Sequence, residues 1–228
     1  MLPVPPEDTW FEGVEKNILT ARKTARMVPI LNNGIDASSD DGCRYTYFVT
    51  HKDRKDSVKN VKNIPSKKTP SAIVKGLQKV FTPMFNSFKH ALEKIGLVGS
   101  TRELVNRSIL VSTGGCAGQR AHWDFEPKVV QTLLEEKKLD EVPFSAIVSF
   151  TPGGSTITGY SFLHAEPYVV HIPFGSMCVF RGDWRHAGSP YTSFNIRGFY
   201  HCVTSTCPHP DDAVYGREGA EDEKLVNV

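Results

Sequence analysis

The spacing of apolar positions divides the chain into a helical part and a strand-rich part. From Ile73 to Ile95, apolar residues recur at steps of three and four positions, which is the period of an amphipathic helix. Pro83 lies in the middle of this stretch, so two arrangements stay open: one kinked helix, or two helices with Thr82 as the N-cap of the second. A helix with such a face more often covers a sheet than lines a substrate groove.

Short apolar segments separated by turns follow from about residue 100. Glycine, proline and aspartate mark their ends, as is typical of strands. Many short strands with regular turns predict a β-sandwich or β-barrel. One more helix, or a long helical loop, is expected from Pro127 to Lys138. The predicted strands are Tyr45–Val49, Ser108–Ser112, Phe144–Phe150, Thr156–Leu163, Tyr168–Ile172, Ser176–Phe180 and Ser193–Val203.

These elements predict a mainly β fold with flanking helices, organised as a single compact domain. Residues 1–100 would form an N-terminal extension with a basic loop and a helical layer, residues 101–210 the β core, and residues 211–228 an acidic tail. A chain of 228 residues can bury a sufficient core without disulfides. Its five cysteines are widely spaced and odd in number, which favours reduced thiols and a cytoplasmic or nuclear protein.

Charge is unevenly distributed, although the net charge is only +2. Residues 51–80 carry nine lysines and arginines against two aspartates. Nucleic acid or an acidic protein would suit such a segment, but a solvated lysine-rich loop is the commoner explanation. The N-terminus lacks the apolar run of a signal peptide. No apolar stretch approaches the roughly 20 residues of a membrane helix, so we expect no membrane partner.

Candidate chemistry is concentrated in His122 and Asp124, two positions apart, and in the later His186. On a strand, residues two positions apart point to the same face, so this pair would project inward while Trp123 faces away. Two imidazoles and one carboxylate can bind one face of Fe(II) and leave positions open for a co-substrate and O₂. Because a His-x-Asp pair also occurs by chance, the residues further along the chain decide its weight.

The last predicted strand adds a buried cation to this set. Alternation along Ser193–Val203 puts Asn195, Arg197, Phe199 and His201 on one face of the strand. A charged arginine that points into a β-barrel is costly unless it meets an anion. Arg197 could therefore hold the distal carboxylate of an acidic co-substrate through a two-pronged contact.

These motifs resemble those of the Fe(II)/2-oxoglutarate-dependent dioxygenases, whose double-stranded β-helix, or jelly roll, carries His-x-Asp, a distant histidine and a later arginine. Residues 118–124, GQRAHWD, are similar to the family's approach to its first ligand. Residues 173–180, PFGSMCVF, and the RHAG sequence at 185–188 resemble the strand and turn around its last histidine. The resemblance covers residues 105–205 and indicates no subfamily.

The resemblance implies a site, an activity and co-substrates. His122, Asp124 and His186 would bind Fe(II), and Arg197 would bind the 5-carboxylate of 2-oxoglutarate. O₂ would be the second co-substrate, with ascorbate as an optional reductant. The implied reaction is hydroxylation of an unidentified protein side chain or small molecule, with succinate and CO₂ as co-products.

The chain departs from the family's pattern near the arginine. Many members place a serine two positions after it, but this chain has Phe199, so a second donor to the carboxylate would come from another strand. Three unranked candidates for that donor are Tyr160, Thr156 and Ser149. Enzymes of the nucleic-acid-repair type carry a second arginine where this chain has Val203, so the resemblance to that branch fails. Lysine demethylases bind 2-oxoglutarate through a lysine, so the presence of Arg197 argues against a resemblance to that branch as well.

Two other classes of protein fit the same pattern of strands. A cupin-like metalloprotein that does not use 2-oxoglutarate would bind metal without forming succinate. A non-catalytic β-sandwich binding module would show neither metal binding nor turnover. Single residues also have plainer explanations: His164, His171 and His201 are more often ordinary strand residues than ligands, and Asp183 fits a turn as well as it fits support of a ligand.

Overall fold

The computed structural model describes residues 14–18, 27–29, 44–48, 71–161 and 166–207. These residues form nine strands, three α-helices and one 3₁₀ turn. The helices are α1 (residues 14–18), α2 (Ser71–Lys94) and α3 (Pro127–Glu135), and the 3₁₀ turn is Leu139–Glu141. The strands are β1 (Met27–Pro29), β2 (Arg44–Phe48), β3 (Glu103–Ser112), β4 (Phe144–Ser149), β5 (Ser155–Gly159), β6 (Tyr168–Ile172), β7 (Met177–Arg181), β8 (His186–Gly188) and β9 (Asn195–Val203).

The strands belong to two antiparallel sheets between which the chain passes repeatedly. The larger sheet has the order β1-β2-β3-β9-β4-β7, and the smaller has the order β6-β5-β8. Single bridges from Cys116 to Tyr191 and from His122 to His186 add the segment 116–122 to the smaller sheet. From β3 onward the chain visits the larger, smaller, larger, smaller, smaller, larger, smaller and larger sheet. This path is the double-stranded β-helix expected from the sequence.

Helix α2 covers the outer face of the larger sheet. Its apolar stripe includes the fully buried Leu77, Phe81 and Phe85, which pack in one cluster with Phe150 and Tyr200. The Tyr200 hydroxyl donates a hydrogen bond of 2.8 Å to the backbone oxygen of Phe85, which ties β9 to the helix. The aromatic stripe is therefore core, as its pattern favours.

Proline does not divide this helix. Pro83 lies inside the continuous helix α2, so the alternative of two helices is wrong. Its side chain is exposed, and Phe81 and Phe85 on either side of it contact the same ring of Phe150. The packing of one uninterrupted stripe on the sheet outweighs the backbone hydrogen bond that a proline removes.

Other boundaries differ in detail from the sequence-based expectations. β3 begins at Glu103, earlier than predicted, and β8 was not predicted. β5 ends at Gly159, before the predicted end at Leu163. Within the described parts of the chain, no helix is both long and apolar enough to cross a membrane. Most of the basic segment 51–80, the acidic tail 211–228 and His164 lie outside the described residues.

Candidate metal centre and buried arginine

The bridge between His122 and His186 brings two distant parts of the chain together. Each backbone N–H donates to the other residue's oxygen, at 2.8 Å from His122 and 2.9 Å from His186. The two imidazole centroids lie 4.6 Å apart. Asp124, two positions after His122, lies on the same side, whereas Trp123 is buried elsewhere, with the Arg185 guanidinium 5.3 Å from its ring centre. Extended backbone thus directs two candidate ligands to one place.

His122, Asp124 and His186 form a compact, buried group. One nitrogen or oxygen from each residue can be chosen so that all three atoms lie within 4.8 Å of one another. None of the three residues is more than 6 % exposed. Two nitrogens and one carboxylate oxygen at this separation are a suitable donor set for a divalent transition metal.

Backbone oxygens orient both imidazoles. Nδ1 of His122 lies 2.8 Å from the oxygen of Arg120, and Nδ1 of His186 lies 2.9 Å from the oxygen of Trp184. Donation from Nδ1–H leaves the lone pair on Nε2, the arrangement found in metal-binding histidines. Burial lowers the pKa of His186 to about 4, against the opposing effect of the Trp184 oxygen. The imidazole is therefore neutral at physiological pH and able to ligate.

Arg197 is buried on the inner face of β9, with only 3 % of its surface exposed. Its Nη2 donates to Ser112 Oγ at 2.8 Å and its Nη1 to Tyr191 Oη at 3.1 Å. The guanidinium carbon also lies 4.8 Å from the centre of the Tyr191 ring. Among the described residues no carboxylate pairs with this charge, and its Nε has no hydrogen-bond partner. A buried cation in such surroundings is suited to an anionic ligand.

The three residues that the sequence suggested as donors to the carboxylate are not hydrogen-bond partners of Arg197, although Ser149 lies opposite Arg197 in the pairing of β4 with β9. Ser149 bonds to Ser155 at 2.8 Å, and the backbone of Thr156 bonds to the Tyr191 hydroxyl. The Tyr160 ring lies 5.6 Å from the Arg185 guanidinium. Sequence reasoning missed Ser112 and Tyr191, whose signals are weak: a serine at the end of a predicted strand, and an aromatic residue in a turn shortly before the arginine.

The remaining candidates have separate positions. Asp183 forms a two-pronged ion pair with Arg181, with Nη2 and Oδ2 3.0 Å apart, so the turn explanation for it fits better. His171 is exposed, and its Nε2 lies 3.0 Å from the oxygen of Gly153. His201, by contrast, is buried, with Nε2 3.9 Å from Oδ2 of Asp124.

A cavity of about 430 Å³ opens between the edge strands β6 and β7, next to the candidate metal centre. Its walls include Phe180 and Trp184, whose rings also contact His186, at centroid distances of 4.7 Å and 5.5 Å. The Trp184 Nε1–H donates to the Tyr168 hydroxyl across the cavity wall at 3.1 Å. The size and aromatic lining are typical of a small-ligand pocket.

Comparison with known proteins adds neighbours of related architecture. The chain matches no protein-family model and no curated protein sequence. A 2OG-Fe(II) oxygenase family oxidoreductase from Burkholderia pseudomallei is similar over 87 % of this chain and 81 % of its own, with 8 % identity and a TM-score of 0.48. A Pseudomonas putida prolyl-4-hydroxylase is similar over 86 % and 84 %, with 10 % identity and a TM-score of 0.46.

A third solved structure is a prolyl hydroxylase from Trichoplax adhaerens in complex with a hypoxia inducible factor peptide fragment. It is similar over 87 % of this chain and 94 % of its own, with 10 % identity and a TM-score of 0.41. The structural neighbours thus include 2OG-Fe(II) oxygenases and prolyl hydroxylases. At these identities and TM-scores, the chemistry of this chain has to be judged from its own side chains.

Proposed function

We propose that this chain is an Fe(II)- and 2-oxoglutarate-dependent dioxygenase that hydroxylates a protein side chain or a small molecule. The observation that carries the proposal is the presence, inside one β-sandwich, of the buried His122–Asp124–His186 group together with the buried Arg197. Neither the metal-binding group nor the buried arginine would by itself indicate a 2-oxoglutarate-dependent enzyme. A metal site without an anion site would fit a cupin-like protein equally well.

Fe(II) fits the donor set. Two neutral imidazole nitrogens and one carboxylate oxygen on one side of an ion leave its other positions open, which is the arrangement of non-haem iron oxygenases. His122 and His186 would ligate through Nε2, since their Nδ1 atoms face backbone oxygens. When bound, iron and 2-oxoglutarate together supply the oxidising chemistry, with O₂ consumed and succinate and CO₂ formed.

2-Oxoglutarate fits Arg197. Its far carboxylate would bind a guanidinium that Ser112 and Tyr191 hold in one orientation, and a planar guanidinium matches a carboxylate with two parallel hydrogen bonds. The Tyr191 hydroxyl, already 2.7 Å from the Thr156 oxygen to which it donates, keeps this orientation rigid. The chain's own residues therefore bind, orient and shield the co-substrate.

The substrate to be oxidised would enter through the cavity between β6 and β7. That cavity is large enough for a small molecule or one extended side chain, and its inner wall adjoins His186. Both substrate classes stay within the proposal. Ascorbate would act only as an accessory reductant, and nucleic acid is not favoured as a partner.

The test is succinate formation from 2-oxoglutarate with Fe(II), ascorbate and O₂, measured for the parent protein and for His186→Ala. Uncoupled turnover without the true substrate should give succinate from the parent and none above background from the variant. His90→Gln, at an exposed position of α2, is the matched control and should behave like the parent. Metal uptake without succinate would favour the cupin-like alternative, and no metal uptake would favour a binding module.

A further inference from the structure

The carboxylate of Asp124 lies between two imidazoles. Its Oδ1 is 3.7 Å from Nε2 of His186, and its Oδ2 is 3.9 Å from Nε2 of His201. The side chains of Asp124, His186 and His201 are 6 %, 4 % and 10 % exposed. One carboxylate oxygen therefore faces the candidate ligands, and the other faces a histidine outside that group.

We infer that His201 is a positioning residue for Asp124, an inference that rests on the proposed function. In the tautomer with its proton on Nε2, His201 would donate to Oδ2 and leave Oδ1 as the single ligating oxygen. The present separation of 3.9 Å exceeds a hydrogen bond, and a shift of about 1 Å closes it. Metal-bound carboxylates commonly have such a partner on the oxygen that does not ligate.

Single-oxygen ligation matters for the proposed chemistry. An ion held by one atom from each of His122, Asp124 and His186 keeps enough open positions for a chelating co-substrate and O₂. A carboxylate that ligates through both oxygens takes up one of these positions. A donor fixed on Oδ2 opposes that second contact, because the oxygen already engaged in a hydrogen bond is a poorer ligand.

The fold holds the His201 ring in place. Phe199 and Phe125 pack edge-on against it, with centroid distances of 4.6 Å and 5.5 Å and interplanar angles of 83° and 80°. Its backbone pairs with Val105 of β3 and Ser145 of β4 in the middle of the larger sheet. Asp124 immediately precedes Phe125, so the contact between Phe125 and His201 keeps the imidazole beside the carboxylate and leaves only about 1 Å to be closed.

Co(II) binding in the absence of O₂ tests this role without turnover. The variants are His201→Phe, which keeps the ring and loses the donor, and His201→Gln, which keeps a donor. We expect His201→Phe to bind Co(II) about 10–100-fold more weakly than the parent, the usual loss when a supporting partner of a metal ligand is removed. His201→Gln should recover most of the affinity, and His90→Gln should match the parent.

The visible absorption of bound Co(II) gives a second measurement, because it reports the number of ligands. Addition of 2-oxoglutarate should change the spectrum of the parent and of His201→Gln, and change that of His201→Phe less. Equal Co(II) affinities and spectra for the parent and His201→Phe would overturn the inference. Equal losses with Phe and Gln would also overturn it, since they indicate direct ligation or a purely structural role. A parent that binds no Co(II) would overturn both the inference and the proposed function.

Discussion

The two faces of β9 are equally buried and chemically opposite. Ile196, Tyr200 and Cys202 point outward with no exposed surface, whereas Arg197 and His201 point inward with 3 % and 8 % exposed. The outward side chains pack against α2 and the segment that follows it, where the hydrophobic effect rewards burial. The inward side chains gain nothing from burial as such, because removing polar groups from water costs free energy unless they find partners. The degree of burial therefore does not distinguish the two faces of β9. The chemistry of the buried side chains does distinguish them.

Truncation of Tyr200 should have the largest effect, and this effect should be confined to the free energy of unfolding. Its ring packs edge-on to Phe85 at a centroid distance of 4.8 Å, and its hydroxyl bonds to the Phe85 oxygen. Tyr200→Ala should lower the free energy of unfolding by about 3–5 kcal/mol, as for other buried aromatic side chains. Tyr200→Phe, which loses only the hydrogen bond, should cost about 1 kcal/mol. Urea unfolding of the metal-free protein measures both, and equal costs would contradict the packing argument.

Truncation of Arg197 should have the opposite result, a small change in stability and a large loss of 2-oxoglutarate binding. Arg197→Ala removes a buried charge, so it should change the free energy of unfolding far less than Tyr200→Ala. If the guanidinium holds the far carboxylate of 2-oxoglutarate, the free energy with which the Co(II)-loaded protein binds 2-oxoglutarate should become less favourable by about 2–5 kcal/mol. Calorimetric titration with 2-oxoglutarate measures this loss, and Co(II) affinity should stay at the parent's value.

Arg197→Lys is the matched control for that experiment. It keeps the positive charge but loses the planar fork, so we expect an affinity between those of the parent and Arg197→Ala. An unchanged requirement for 2-oxoglutarate in Arg197→Ala would show that the inner face of β9 serves some other anion.

The inner face of β9 could be predicted because side chains on a strand alternate strictly. Once Ser193–Val203 is identified as a strand, parity alone puts Arg197 and His201 on the same face. β4 offers no such signal, since all six of its residues are buried. The sequence predicts it from a short stretch rich in apolar residues and bounded by turn residues, which indicates a strand without saying which side faces the site.

Contacts between distant segments could not be predicted from the sequence. Ser112 reaches Arg197 because β3 and β9 pair in a register that aligns Ser112 with Asn195, and register depends on the whole sheet. β8 has only three residues, too few for a periodic signal. His201 and Asp124 lie close together only because the two sheets pack face to face. The spacing of these residues along the chain does not predict that proximity.

The smallest effect should be on the reactivity of a thiol on the outer face of β9. Burial raises the pKa of Cys202 to about 12, although Arg102 acts in the opposite direction. The thiolate is the reactive form, so the folded protein should resist alkylation of Cys202 by iodoacetamide at pH 8. In urea the pKa returns to its ordinary value and labelling should proceed, as peptide mass spectrometry would detect. Tyr200→Ala should speed labelling by loosening the same packed layer, whereas Arg197→Ala should not. Equal acceleration by both variants would mean that the two faces of β9 are not independent.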